Sequence, residues 1–197
     1  MAQDIVMVVG LGNPGPDYEN TRHNAGALFV EALARDAGQS LRPEKKYHGH
    51  YARIQWQDLE LHLLNPATFM NRSGLSVKAL ADFFKIPPCQ ILIAHDELDL
   101  PPGTAKLKKG GGHGGHNGLR DSIAHLGTNE FQRLRIGIGH PGDSRKVTGY
   151  VLGRLGKRET EDLNAVFHEI MRVLPDAASG NLSVAMNRLH SFKPTIA

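Results

Sequence analysis

A histidine and an aspartate follow two short apolar runs of the chain, and together they are suited to activate a water molecule. His23 lies in the loop after residues 4–11 (DIVMVVGL), and Asp96 ends residues 90–96 (QILIAHD). A carboxylate bonded to one imidazole nitrogen fixes the tautomer of the ring and stabilises the ring after it accepts a proton. His23 also directly precedes a predicted helix, whose positive end favours the uncharged imidazole that a general base requires.

Simpler structural interpretations exist for the same residues. In the TRHN segment, Thr21 or Asn24 would cap the helix while His23 is exposed. Asp96 would be one of several solvated acids in a loop. A metal site built on these acids is disfavoured, because in a strand His95 should point to the opposite face from Asp96.

The loop that carries His23 also contains residues 10–15 (GLGNPG), which match a dinucleotide-binding pattern. That site needs the glycine turn to run straight into a helix, whereas here prolines and polar residues continue up to His23. The position of the loop is more informative, because open α/β sheets bind ligands where loops leave the carboxyl ends of strands. Asn13 and Tyr18 lie on this loop beside His23.

Residues 66–74 (PATFMNRSG) resemble a turn that leads into a helix. Asn71 or Ser73 would cap that helix, or a buried Asn71 would offer a donor and an acceptor to a carbonyl substrate. The sequence lacks a Gly-x-Ser-x-Gly elbow, and Cys89 has no histidine nearby, so a covalent nucleophile is not evident. A neutral base and several asparagines therefore predict single-step hydrolysis by activated water.

Residues 106–119 (KLKKGGGHGGHNGL) form the most glycine-dense segment and end where a helix is predicted to begin. Such a loop lets a large ligand approach backbone N–H groups closely. It lacks the Gly-Lys-Ser/Thr ending of a P-loop. His113 and His116 have no third candidate ligand nearby, which argues against a zinc site.

Basic residues begin this segment and recur in residues 133–139 (RLRIGIG). Together they would form either a phosphate-binding patch or a solvated strand face. They are Lys106, Lys108, Lys109, Arg133 and Arg135.

Strands and helices alternate along the chain and must position these side chains. Strands are predicted at residues 4–11, 51–56, 59–65, 90–96, 104–109 and 133–139, the last two with exposed alternation. Helices are predicted at residues 25–37, 73–85, 117–126, 158–174 and 181–190, the last two separated by Pro175 and Gly180. This order predicts an α/β fold, with a central mixed, mostly parallel sheet flanked by helices. Parallel strands 4–11 and 90–96 would bring Asp96 towards His23.

The length and composition predict one domain that spans residues 1–197. The carboxy-terminal helices of this domain are predicted within residues 158–190. The chain has 197 residues, of which 40% are hydrophobic, and a formal net charge of +3. A mildly basic chain is compatible with a polyanionic partner but does not require one. The single cysteine suits a reducing compartment, and the absence of a signal or spanning segment predicts a soluble, cytoplasmic protein with no membrane partner.

Four motifs closely resemble the bacterial peptidyl-tRNA hydrolases, which cleave the ester between a peptide and tRNA. They are GLGNPGPDYENTRHNAG, NPATFMNRSG, HDELDLPPG and GGGHGGHNGLRD, and the similarity runs in order from residue 5 to about residue 153. The resemblance implies a monomeric hydrolase that binds peptidyl-tRNA and needs no metal or organic cofactor.

The resemblance also implies a role for each site residue. His23 would be the general base, Asp96 would stabilise its active form, and Asn13 would sense a blocked amino group. Other residues would position the peptide, the water or the oxyanion (Asn71, Asn117), shape the peptide channel (Tyr18, Phe69, Met70) and hold tRNA phosphates (Lys106, Lys108, Arg135). An RNA-binding module on the same fold, without hydrolysis, is the alternative function. The intact His23 and Asp96 argue against it.

Overall fold

One seven-stranded sheet organises the part of the chain that the structure describes, residues 3–194 of a computed structural model. Its strands are β1 (Met7–Gly10), β2 (Arg42–Glu44), β3 (Gly49–Trp56), β4 (Leu59–Pro66), β5 (Ile91–Glu97), β6 (Ala105–Lys109) and β7 (Gln132–Gly137). The strand order is β2-β3-β4-β1-β5-β7-β6. The pairs β1–β4, β1–β5 and β5–β7 are parallel, and the outer pairs are antiparallel. The predicted α/β fold with a mixed, centrally parallel sheet is confirmed.

Helices cover both faces of this sheet. They are α1 (Ala25–Asp36), α2 (Ser73–Phe83), α3 (Asn117–Leu126), α4 (Val147–Val151), α5 (Lys157–Ala178) and α6 (Leu182–Ser191). Alternate residues of a strand point to opposite faces, so Val8 packs in the core of α1 and α5, whereas Met7 and Val9 pack in the core of α2. The predicted limits of the domain at residues 1 and 197 lie outside the described residues.

The turn between β3 and β4 forms without the glycine that such turns favour. Gln57 and Asp58 have φ angles of 47° and 66°, the left-handed pair that a two-residue hairpin of this twist needs. The full β3–β4 register from Gly49 to Trp56 stabilises this strained turn. The predicted hairpin is therefore confirmed, with strands slightly longer than expected.

Two predictions about these elements were wrong. Helix α5 continues through Pro175 to Ala178, because Val173, Leu174 and Ala177 are buried and their packing outweighs the one backbone hydrogen bond that proline removes. The carboxy-terminal helices therefore end at Ala178 and Ser191. Strand β7 is not an exposed strand: it lies between β5 and β6 and is buried along most of its length.

Candidate active site

The carboxyl edge of the sheet brings His23 and Asp96 together with a second histidine, His116, whose ring lies next to that of His23, with centroids 5.1 Å apart. His23 lies in a short 3₁₀ turn (Arg22–Asn24) before α1, and Asp96 lies near the end of β5. Nδ1 of His23 is 3.0 Å from each carboxylate oxygen of Asp96. Nε2 of His116 lies 2.8 Å from Oδ1 of Asp96. Parallel pairing of β1 with β5 produces this convergence, as the sequence predicted.

The tautomer of His116 follows from its position at the start of α3. Its Nδ1 accepts hydrogen bonds from the backbone N–H groups of Gly118, at 3.1 Å, and Leu119, at 3.3 Å. A nitrogen that accepts from N–H groups carries no proton, so the proton of the neutral ring is on Nε2 and is donated to Asp96. Helix α3 therefore orients a donor towards the carboxylate, a role that the sequence analysis missed.

The carboxylate fixes the tautomer of His23 in turn. Asp96 is 5% exposed and accepts hydrogen bonds from both rings, so Nδ1 of His23 carries a proton and donates it. The other nitrogen, Nε2, is then unprotonated in the neutral ring. His23 lines the large cavity above the sheet edge, where this nitrogen is available as a base.

Burial and charge oppose one another in this pair. Burial by itself lowers the pKa of His23, but the negative charge of Asp96 and its hydrogen bond raise that pKa above the ordinary value. Burial by itself raises the pKa of Asp96, but the rings of His23 and His116 lower that pKa well below the usual range. Asp96 is therefore ionised across the physiological range, and it stabilises the protonated form of His23.

The same three side chains are the donor set of a possible metal site. One ligand atom from each of His23, Asp96 and His116 falls within 4.8 Å of the others, which corrects the sequence conclusion that no third ligand lies near the histidines of the glycine-rich loop. A metal on Nε2 of His116 would displace the proton to Nδ1, and Nδ1 would then lose both amide hydrogen bonds of α3. The hydrogen bonding of His116 therefore opposes metal binding at this donor set.

Asn13 is held rigidly beside His23 and Asp96, which together are called the dyad below. Its Oδ1 accepts from the N–H of Met70 at 2.7 Å. Its backbone N–H and C=O bond to the side chain of Asn24 at 2.8 Å and 2.9 Å. Because Oδ1 is occupied, the side chain presents its NH₂ group to the cavity as a donor. Asn24 thus positions Asn13 and does not cap α1, and Thr21 instead donates to the carbonyl of Tyr18 at 2.8 Å.

A cavity of about 610 Å³ spans this edge of the sheet. The predicted site residues that line it are His23, Asp96, Asn13, Asn71, Asn117, Phe69, Met70, Lys108 and Arg135. Tyr18 and Lys106 are outside its lining, although the Tyr18 ring contacts Phe69 edge-on, with centroids 6.3 Å apart. The volume suits the end of a larger substrate, with Phe69, 57% exposed, as an apolar wall.

The asparagines at the starts of α2 and α3 are exposed and do not act as helix caps. Asn71 is exposed, not buried, and neither it nor Ser73 caps α2, since Ser73 donates to the carbonyl of Met70 at 2.7 Å. Asn117 is the first residue of α3 and is also exposed. Both residues line the open cavity, and Oδ1 of Asn117 accepts a hydrogen bond from the Arg120 guanidinium at 3.4 Å.

The predicted basic patch divides into three environments. Arg133 is 2% exposed and donates to the carbonyls of Gly111 and Gly112, so it holds the glycine-rich loop and does not belong to a surface patch. Arg135 forms an ion pair with Glu97 at 2.8 Å. Lys106 and Lys108 are exposed on the same side of edge strand β6. The lysines are therefore the better candidates for phosphate contacts.

Variants of His116 test its dual role. We expect His116→Ala to destabilise the fold by about 1 kcal/mol through loss of the helix cap, and His116→Asn to recover part of this because its Oδ1 can accept the same amide bonds. Both variants lose the donor to Asp96 and should have a lower turnover rate. Chemical denaturation combined with the turnover assay checks this. Equal stability of His116→Ala and the unmodified chain would contradict the capping role.

Comparisons with known proteins point to one family. A family model described as peptidyl-tRNA hydrolase matches residues 7–196. The chain is 87% identical over 195 residues to a peptidyl-tRNA hydrolase of Marinobacter nauticus, covering 99% of this chain and 100% of that one. It is 57% identical to a peptidyl-tRNA hydrolase of Chromohalobacter salexigens over 96% of this chain and 98% of that one.

Solved structures show the same fold. The crystal structure of peptidyl-tRNA hydrolase from Acinetobacter baumannii superposes with a TM-score of 0.94 at 46% identity, covering 99% of each chain. A complex of peptidyl-tRNA hydrolase with N-propanol gives a TM-score of 0.93, also at 46% identity, covering 98% of this chain and 97% of that one. The chain therefore belongs to the peptidyl-tRNA hydrolase family.

Proposed function

We propose that the chain hydrolyses the ester bond of peptidyl-tRNA by water attack, with His23 as the general base and Asp96 as the group that orients it. Family membership supports the reaction and the substrate. The observation that carries the mechanism is the His23–Asp96 contact at 3.0 Å, which directs the unprotonated nitrogen of His23 to the cavity. A base of this kind contributes about 10²–10⁴-fold to a rate.

The reaction begins with a water held between Nε2 of His23 and the ester carbonyl carbon. Nε2 takes one proton from the water as its oxygen bonds to that carbon, which forms a tetrahedral oxyanion. The imidazolium that results is stabilised by the ionised carboxylate of Asp96. The ring then returns its proton to the ribose oxygen as the carbon–oxygen ester bond breaks. The products are a free peptide and tRNA.

Asparagine amides supply the donors that this reaction needs. The NH₂ group of Asn13 can donate to the amide carbonyl that a blocked α-amino group carries, whereas a free α-ammonium offers only donors and meets no acceptor there. This arrangement favours peptidyl-tRNA over aminoacyl-tRNA. Asn71 and Asn117 lie on the same cavity and can orient the water or stabilise the oxyanion. Phe69 and Met70 form the apolar wall of the peptide channel, and Tyr18 supports that wall from outside the cavity through its contact with Phe69.

The tRNA is assigned to the other end of the cavity, over β7 and β6. Lys106, Lys108 and Arg135 would bind its phosphates, with Arg135 weakened as a contact by its ion pair to Glu97. We expect Lys108→Gln to reduce tRNA affinity and to lower the slope of log affinity against log salt concentration by about 1. Binding measured between low and moderate salt tests this, with Lys157→Gln on α5 as the control. An unchanged slope in Lys108→Gln would remove Lys108 from the interface.

The turnover of N-acetylaminoacyl-tRNA tests the proposed function directly. The purified chain should release the N-acetylamino acid and leave the unblocked aminoacyl-tRNA largely intact. Release of neither acyl group, with the tRNA still bound, would favour the alternative of an RNA-binding module. Equal hydrolysis of both substrates would contradict the role of Asn13.

The compartment and the oligomeric state stay predictions. Within residues 3–194, the helices are too short or too polar to cross a bilayer. We propose that the chain acts in the cytoplasm, because its substrate arises in translation there, and that it acts as a monomer.

A further inference from the structure

The turn that carries His23 is tied to the carboxy-terminal part of the chain by the residue before it, Arg22. The Arg22 side chain is 16% exposed and lies outside the lining of the active-site cavity. Its guanidinium group donates to both carboxylate oxygens of Glu159 on α5, at 2.9 Å and 2.8 Å. A planar contact with two bonds fixes the relative orientation of the two groups. The proposed mechanism uses neither Arg22 nor Glu159.

The same guanidinium group also holds α4, which forms part of the cavity wall. Its Nη1 donates to the backbone carbonyl of Tyr150 at 3.0 Å, and its Cζ lies 4.2 Å from the centroid of the Tyr150 ring. Val147 and Val151 of this short helix line the active-site cavity. Arg22 therefore joins the turn of His23 to two helices, α4 and α5.

Backbone contacts with the carboxy-terminal part of the chain give the turn only a narrow support. Thr21 and Arg154 form an isolated antiparallel bridge, and the N–H of Arg22 donates to the carbonyl of Gly153 at 3.1 Å. Within residues 3–194, neither the 3₁₀ turn of His23 nor α1 has a side-chain cap. A single bridge fixes the spacing of two segments more firmly than the angle between them. The guanidinium bonds to α4 and α5 supply the contacts that fix this angle.

We propose that Arg22 is a positioning residue for catalysis, because its contacts with Glu159 and Tyr150 set the angle at which the His23 ring meets Asp96 and the ester. This inference rests on the proposed function, since it takes His23 as the base. A general base must lie within hydrogen-bond reach of the water that it activates, and a displacement of about 1 Å can lower a rate by about a hundredfold. Arg22 acts through His23, since it lies outside the cavity lining.

The space beside the Arg22 guanidinium supports a fixed position for this group. A Cβ atom added at Gly153 would lie 2.6 Å from Nη1 of Arg22 and 3.1 Å from the carbonyl oxygen of Tyr150, the two atoms that form one of the hydrogen bonds. The first distance is well inside the normal separation of non-bonded atoms. Gly153→Ala should therefore displace the guanidinium group while Arg22 and Glu159 stay in the chain.

The rate of Arg22→Gln is the first test. We expect kcat for N-acetylaminoacyl-tRNA to fall by about tenfold to a hundredfold, with KM within about twofold, because Arg22 is not one of the proposed contacts with phosphate or peptide. Arg22→Lys keeps the charge but cannot form the planar contact with two bonds, so it should restore only part of the rate. A kcat of Arg22→Gln within about twofold of the unmodified value would overturn the proposal.

The titration of His23 separates positioning from a loss of stability. Asp96 and His116 face the His23 ring, and Asp96 raises the pKa of that ring through its charge and its hydrogen bond. If the ring leaves this geometry, it should titrate at lower pH in folded Arg22→Gln, which NMR of labelled histidine measures. Removal of a nearby positive charge alone would act in the opposite direction and raise the pKa. An unchanged or raised pKa of His23 would overturn the proposal.

Variants of Glu159 and of a neighbouring ion pair localise the effect. Glu159→Gln should also lower kcat, and its combination with Arg22→Gln should match Arg22→Gln alone, because the two residues act through one contact. Additive losses would overturn the proposal. The control Arg158→Gln removes an arginine whose ion pair with Asp162, at 3.5 Å, lies within α5, and it should leave kcat and the pKa of His23 unchanged. If denaturation curves show that Arg22→Gln fails to fold, Gly153→Ala serves as the test, with the same two measurements.

Failure of this proposal is distinguishable from failure of the proposed function. An unmodified rate in folded His23→Ala would reject the proposed function. Loss of activity in His23→Ala, together with an unmodified rate and an unmodified His23 pKa in Arg22→Gln, would overturn the inference alone.

Discussion

Replacement of His23 by alanine should slow the hydrolysis of N-acetylaminoacyl-tRNA by about 10²–10⁴-fold, because the reaction loses the group that removes a proton from water. Among residues 3–194, His23 donates only to Asp96, and it lines the cavity, so its removal leaves the loop contacts of Arg22 and Asn24 intact. Single-turnover rates separate this effect from product release. The affinity for tRNA should stay within about twofold of the unmodified value, because His23 is not one of the proposed phosphate contacts.

A matched histidine variant controls for the loss of an imidazole as such. His168→Ala removes an exposed ring of α5 and should leave the rate unchanged. Undiminished turnover by His23→Ala, with tRNA binding preserved, would reject the mechanism.

Replacement of Asp96 by asparagine should have the second large effect. The amide has the size of the carboxylate but lacks its charge, so it no longer stabilises protonated His23. By analogy with other base dyads, the rate should fall by about 10²–10⁴-fold. The NH₂ group of the new side chain would also face the donors of His23 and His116, which disturbs the ring orientation. A loss smaller than threefold would contradict the role of Asp96.

The proposed mechanism also predicts how the hydrolysis rate changes with pH. His23 acts as a base only when it is neutral, so activity rises with pH through its pKa. Because Asp96 raises that pKa above the ordinary value, the acid limb of the unmodified chain should lie above the usual histidine titration. In Asp96→Asn this limb should move to lower pH. A stopped-flow profile of kcat/KM between pH 5 and pH 8 measures the shift.

The convergence of His23 and Asp96 was predictable because it depends on a simple rule. Two apolar runs that end in polar residues become parallel neighbours, and their carboxyl ends then meet at one edge. The helix after His23 was also predictable, since α1 ends in a regular motif in which the N–H of Gly38 bonds to the carbonyl of Arg35 at 2.9 Å.

Other parts of the site depend on contacts that local patterns do not record. His116 is 20 residues beyond Asp96 in sequence, and only the packing of α3 against the sheet edge brings the two together. Its position immediately before Asn117, the start of a predicted helix, was a usable signal for a cap. The burial of Arg133 was unpredictable, because a basic residue in an alternating strand resembles an exposed one until the strand order is known.

The tautomer and titration of His23 test the central claim most directly. ¹⁵N-labelled histidine gives separate NMR shifts for protonated and unprotonated ring nitrogens. We predict that neutral His23 carries its proton on Nδ1, and that the ring titrates above the ordinary histidine pKa in the unmodified chain but lower in Asp96→Asn. A proton on Nε2 of neutral His23, or a titration that Asp96→Asn leaves unchanged, would contradict the account.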